Sequence, residues 1–270
     1  MKIDDLKTSF EFKSIKHFDD LYENQPVSTR LPISLDNAAP IIPNPAPTPN
    51  KVGGILKRFC RDPGLNRRFL RGLRAFTLRW CRKNLRSFNA TDDLSFETWI
   101  EGVDYPRARK DQLKKIYEEI SKDQFRKKSR AKYMFSSLVK SFIKDESYTD
   151  FKYPRCINSR CDDFKVFSGP IFDAIGKRLG ERPEFVKYIP VVERPKYLYD
   201  RLSKCGSKFF SSDYSSFEAH FGAEMMKNCE FVLYNYMTRS CSKQVKDKMR
   251  CIMSVLSGVN EIRFRDISMK

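Results

Sequence analysis

Five prolines in ten residues, Pro40, Pro43, Pro45, Pro47 and Pro49, set the first hard constraint on this chain. Each removes a backbone donor and fixes φ, so the stretch fits neither a helix interior nor a central strand and reads as an extended linker. Gly53 and Gly54 read as its close. The charge changes at the same place. Residues 1–50 carry five basic and seven acidic side chains, whereas all 270 residues together hold 52 Lys and Arg against 34 Asp and Glu, a formal +18 that leaves a net +20 beyond residue 50.

So much uncompensated charge repels itself unless an acidic partner is near, which points to a polyanion. The 40% apolar and 13% aromatic content is enough to bury a core and argues against wholesale disorder. No run approaches the ~18 consecutive apolar residues of a membrane span, and the first 25 residues lack a secretory pattern, so the chain reads as intracellular. Cys60, Cys81, Cys156, Cys161, Cys205, Cys229, Cys241 and Cys251 include no C-x-x-C pair, and only His17 and His220 add imidazoles. Free buried thiols are the expectation.

Twelve basic residues and one acid, Asp62, fall between Lys51 and Arg86. Phe69, Leu73, Phe76 and Trp80 recur at steps of four, three and four, which predicts one apolar helix face, with Arg67, Arg71, Arg74, Arg82 and Arg86 mostly off it. Such a helix suits RNA phosphates, an anionic membrane surface or plain solvation. A second helix is expected over 109–125, with Leu113, Ile116, Tyr117 and Ile120 as its stripe and Asp111/Lys115 and Lys115/Glu119 as pairs. Pro170, Pro183, Pro190 and Pro195 predict short pieces over 165–200.

Two segments carry chemistry. In the first, Leu138 to Ile143 reads as a strand or helix end, and Pro154 forbids helix through the residues after it, so Lys144, Lys152, Arg155 and Arg160 sit on an extended loop or hairpin, where they either converge on a triphosphate or form a plain solvated hairpin. In the second, Phe209, Phe210 and the serines after them predict a short strand with Asp213 at its C-terminal end. Phe217, Phe221, Met225, Cys229 and Val232 then predict a helix. Asp213 is placed to hold a metal. Ser215 and Glu218 fit a capping box, which gives Glu218 a structural role of its own.

These residues resemble a known pattern. Asp213-x4-Glu218 is similar to motif A of RNA-dependent RNA polymerases, and Lys144-Asp-Glu with Lys152-Tyr-Pro-Arg155 and Arg160 is similar to motif F, in the family's order. The wording resembles tombusvirus-like positive-strand RNA viruses. Trp99-Ile-Glu-Gly-Val-Asp-Tyr-Pro106 and Arg109-Lys-Asp-Gln-Leu113 resemble the finger region of that group, so the likeness spans about residues 95–270.

The resemblance implies that Asp213 binds catalytic Mg²⁺ (or Mn²⁺). It implies that Lys152, Arg155, Lys144 and Arg160 hold the triphosphate, and that Glu218, where the family usually has Asp, senses the ribose. His220 is expected to be packed. The Gly-Asp-Asp triplet of the family's second carboxylate set is absent, as is its Ser-Gly-x3-Thr-x3-Asn motif B. The Asp-Asp pairs at 4–5, 19–20, 92–93 and 162–163 read as loops or caps.

The expected architecture is α/β in the α+β sense: helix-rich right-hand polymerase fingers and the first palm strand-turn-helix, cut short before motifs B and C. Residues 1–50 form an acidic leader and linker, 51–205 the fingers, and 206–270 the start of the palm. The expected partners are an RNA template with its primer or nascent strand and nucleoside triphosphates. The expected place is the host cytoplasm, including membrane-associated replication complexes. The alternatives are a non-enzymatic basic RNA-binding protein and a membrane-associated replication scaffold that lays the basic helix on anionic lipid.

Overall fold

A computed structural model describes residues 12–14, 43–46, 48–59, 64–126, 137–148, 152–203, 208, 210–214 and 217–270. The expected leader up to residue 42 lies almost wholly outside them. The proline-rich stretch ends sooner than the charge boundary suggests. Helix α1, Thr48–Phe59, begins at its tail, with Pro49 in the first turn, where a missing donor is harmless. Gly53 and Gly54 lie inside this helix and close no linker. A Cβ on Gly54 would come within 2.6 Å of the Pro154 carbonyl oxygen, so glycine is what lets α1 approach the backbone of the 153–156 segment.

Helix α2, Arg67–Asn84, starts at Asn66, whose side-chain oxygen accepts from the Arg68 amide at 2.7 Å. It packs against α7, Ala223–Asn228, and α8, Glu230–Thr238. Helix α3, Phe96–Gly102, and α4, Arg107–Arg126, are covered by α5, Asp162–Gly180. The predicted helix at 109–125 is thus present within α4. Arg109 ties it to α5, donating to both oxygens of Asp162 at 2.5 and 2.8 Å.

The expectation that Pro170 breaks the chain does not hold. α5 runs through it for 19 residues. Proline forfeits one backbone hydrogen bond and strains one turn, at ~3 kcal/mol. Phe164, Val166, Phe167, Ile171 and Ile175 are all buried on the same helix, and their burial outweighs that penalty. Helix α6, Arg194–Leu202, has Pro195 in its first turn, and α9 spans Lys243–Ser257.

A five-stranded mixed sheet completes the described fold. In chain order its strands are β1 (Phe12–Ser14), β2 (Leu138–Ile143), β3 (Cys156–Arg160), β4 (Glu261–Arg263) and β5 (Ile267–Met269), in the spatial order β1-β5-β4-β2-β3. Only β2 and β4 pair in parallel. α1 lies on this sheet, packing Ile55 against Phe264, Ile267 and Met269. The main core joins Cys81, Leu85 and Phe88 to Phe167 and Ile171 of α5, Met237 of α8, and Met249 and Ile252 of α9. Side chains from 51–205 and from 206–270 therefore share one core. The described cysteines, Cys81, Cys156, Cys161, Cys229, Cys241 and Cys251, carry free thiols. No described helix is long and apolar enough to cross a membrane.

Candidate functional site

The predicted hairpin is present around Pro154, whose ring forbids helix there. β2 and β3 pair antiparallel from Val139↔Arg160 to Ile143↔Cys156, and the Lys144 amide extends the ladder by donating to the Arg155 carbonyl at 2.7 Å. Lys144 and Arg155 thus face each other across the mouth of the loop, with Lys152 exposed on its returning arm.

Glu146 organises this mouth. It accepts from Arg155 Nε at 2.6 Å, from a second Arg155 nitrogen and from Lys144, and Tyr148 Oη donates to it at 3.0 Å. The Arg155 hydrogen bonds do most to hold its carboxyl down, to about 2, against the opposing effect of burial. The same contact raises the Arg155 pKa.

Arg160 does not converge with them. It ends β3 opposite Val139, at the far end of the ladder from Arg155. Its Nη1 donates to Asn260 Oδ1 at 2.6 Å and its guanidinium lies 5.3 Å from the Phe164 ring centroid. Burial lowers its pKa. An alternating strand separates residues five apart by most of its length, so Arg160 is a packed cation of the sheet's other end.

The segment around Asp213 departs further from expectation. Residues 210–214 form no strand, because a strand needs a ladder and no described strand runs beside them. Phe210 is 91% exposed, and Asp213 is exposed too. The predicted helix from Phe217 to Val232 is divided. It begins as a 3-10 turn, Phe217–His220, continues as α7 and α8, and is interrupted at Cys229, where φ is −125° and ψ is −81°. Phe209, Ser215 and the His220 side chain lie outside the described residues, and with Ser215 the capping box. Glu218 has another partner. Arg58 Nη1, from the last turn of α1, donates to its Oε1.

This ion pair ties α1 to the turn that carries Glu218, and α1 also packs against β3. Burial alone would raise the Glu218 pKa, but the Arg58 hydrogen bond and the nearby charges of Arg58 and Arg155 bring it below its ordinary value. Burial pushes the Cys156 thiol up to about 11, and the charge of Arg58 works against that. Arg58 thus acts on both Cys156 and Glu218, and Arg155, itself paired with Glu146, acts on Glu218 as well. Chemically, this is a set of cationic donors interleaved with two carboxylates, Glu146 and Glu218. Sequence reasoning missed Arg58, which stands 160 residues from Glu218, and it missed that Glu146 occupies the cations of its own loop.

Asp213 makes no ion pair among the described residues, and no three His, Cys, Asp or Glu side chains there gather as metal ligands. One exposed carboxylate offers two oxygens, whereas Mg²⁺ asks for about six ligands and a two-ion centre for carboxylates from more than one place. The described residues do not by themselves fit a two-metal site.

α2 presents its basic residues to solvent: Arg67, Arg71, Arg74 and Arg82 are all exposed. Arg86 falls beyond the helix end and pairs with Asp92 at 3.3 Å. The predicted inward stripe is rotated. Leu70 and Cys81 are buried, while Phe69 and Phe76 stand exposed, because α7 and α8 cover the Leu70–Thr77–Cys81 side. No protein-family model matches this chain, and no curated protein matches it.

Proposed function

We propose that this chain forms the fingers and the first palm segment of an RNA-dependent RNA polymerase, of the tombusvirus-like kind its motifs resemble. The observation that carries the reading is that α1 packs against both β3, the returning strand of the 144–155 hairpin, and the turn at 217–220, where Arg58 pairs with Glu218. A nucleotide site built from those two motifs requires such an approach, and residues so far apart have no local reason for it. Lys144, Lys152, Arg155 and Arg58 offer donors to a triphosphate, and Glu218 stands beside them for the ribose hydroxyls. The exposed arginines of α2 supply the RNA contact.

The chemistry assigned to the complete polymerase is RNA-templated nucleotidyl transfer with Mg²⁺ or Mn²⁺, to which Asp213 contributes a ligand. Gly-Asp-Asp does not occur in these 270 residues, so turnover belongs to a protein that supplies it and binding is what this chain can be asked for. The test is photocrosslinking of an azido-ATP to residues 1–270 with peptide mapping. Label competed by unmodified triphosphate is expected on 144–155, reduced about tenfold by Arg155→Ala, the loss of one charge-assisted contact. Uncompeted label, or label indifferent to both Arg155→Ala and Lys152→Ala, sinks the nucleotide site. RNA affinity that survives that outcome would leave a non-enzymatic RNA-binding protein.

A further inference from the structure

α2 carries a second face beside the one it buries. Phe69, Gly72, Phe76, Arg79 and Lys83 recur at steps of three and four, which places them in one line along the helix, and all five are exposed. The rings of Phe69 and Phe76 are 54% and 58% exposed. Between them, a Cβ added to Gly72 would meet no atom within 4 Å. Glycine weakens a helix interior by ~1 kcal/mol relative to alanine, and no packing among the described residues asks for it here.

The missing side chain leaves a notch with an aromatic ring at either end. From one ring-bearing residue to the other the helix rises ~10.5 Å. That is close to three base-stacking intervals of ~3.4 Å. Arg68, Arg71, Arg79 and Lys83 are exposed around the notch and pair with no described carboxylate, and α2 itself contains no acidic residue. The face therefore asks for a ligand that is at once flat, apolar-surfaced and anionic.

We propose that the Phe69–Gly72–Phe76 notch is a stacking platform for unpaired bases of single-stranded RNA, with Arg68, Arg71, Arg79 and Lys83 holding its phosphates. The proposal rests on the RNA-binding part of the proposed function and gives it a strand preference. Single strands present ring faces that aromatic side chains can stack on, whereas a duplex keeps its base faces within the stack. An interfacial membrane helix would need a broad apolar face. α2 has already spent that face on the protein core through Leu70 and Cys81.

The test is fluorescence anisotropy of residues 1–270 with a 12-nucleotide single-stranded RNA and a 12-base-pair RNA duplex, beside flotation with phosphatidylcholine–phosphatidylserine vesicles. Stacking on two rings predicts that Phe69→Ala/Phe76→Ala weakens single-strand binding by about tenfold or more while duplex binding stays within about twofold. Gly72→Met fills the notch with a good helix former, so it is expected to raise the thermal midpoint and still weaken single-strand binding. Equal loss for both RNAs, no loss for either, or vesicle binding that depends on the two rings would overturn the platform. Triphosphate crosslinking at 144–155 reports separately on the polymerase reading, since no residue of the notch belongs to that loop.

Discussion

Arg58 and Glu218 form an ion pair across 160 residues of sequence, from the last turn of α1 to the 3-10 turn after Asp213. The Glu218 side chain is 40% exposed, so solvent screens the pair and its share of stability is small, below ~1 kcal/mol. Its expected weight is in binding. With Glu218 serving the ribose, Arg58→Ala should reduce the preference for ribo- over deoxyribonucleoside triphosphate in competition crosslinking, while Arg155→Ala weakens both alike. An unchanged preference in Arg58→Ala would show that Arg58 does not position Glu218 for the ribose.

Lys51 and Asp266 present the opposite case. Their ion pair is 2.5 Å long, and the two side chains are only 8% and 13% exposed. Taking the charge off either partner costs the other a short ion pair where solvent screens little. Asp266→Asn should lower urea-unfolding stability by about 3 kcal/mol, and Lys51→Met with Asp266→Leu should recover most of it. A loss below ~1 kcal/mol for Asp266→Asn would show that the remaining lysine stays solvated.

Glu146 links stability to pH and, through the same contacts, restrains the candidate site. Its carboxyl is held down to about 2, so the stability it contributes is present above its ordinary value of 4.5 and is lost as pH falls from there to about 2. Glu146→Gln should flatten acid unfolding across that window. It should also free Lys144 and Arg155 and strengthen triphosphate binding several-fold. Weaker binding in Glu146→Gln would mean that the carboxylate positions the cations for the ligand and does not compete with it.

Lys248 should show the reverse sign. It packs 4.8 Å from the Phe167 ring centroid, and burial pushes its pKa down to about 8, with Glu97 opposing. The folded state therefore binds fewer protons than the unfolded one between about 8 and the ordinary ~10.4 of lysine, and stability rises with pH through that interval. Lys248→Met should be more stable at pH 7 by about 1–3 kcal/mol. The gap to the unsubstituted chain should narrow by pH 9.5 in urea titrations, and a gap constant with pH would refute the buried charge.

The elements legible in the sequence are those whose causes lie within a few residues. The hairpin follows from Pro154, which forbids helix beside Leu138–Ile143, and α4 from the Leu113–Ile120 stripe. The strong positive charge of α2 is equally a property of its sequence. Periodicity states that a helix has two sides, but it does not say which neighbour arrives or at what angle. α7 and α8 decided that Leu70 and Cys81 face inward and that Phe69 and Phe76 face out. Pro170 could be expected to break a helix only while the burial of five residues around it was unknown, and Gly53 and Gly54 looked like punctuation until Pro154 lay against them. The sequence by itself determined the charge, the hairpin and the helices α2 and α4, because those depend on neighbours in the chain. Arg58 beside Glu218, and Arg160 apart from Arg155, were decided by the tertiary structure, because such contacts arise from packing between segments that no local pattern relates.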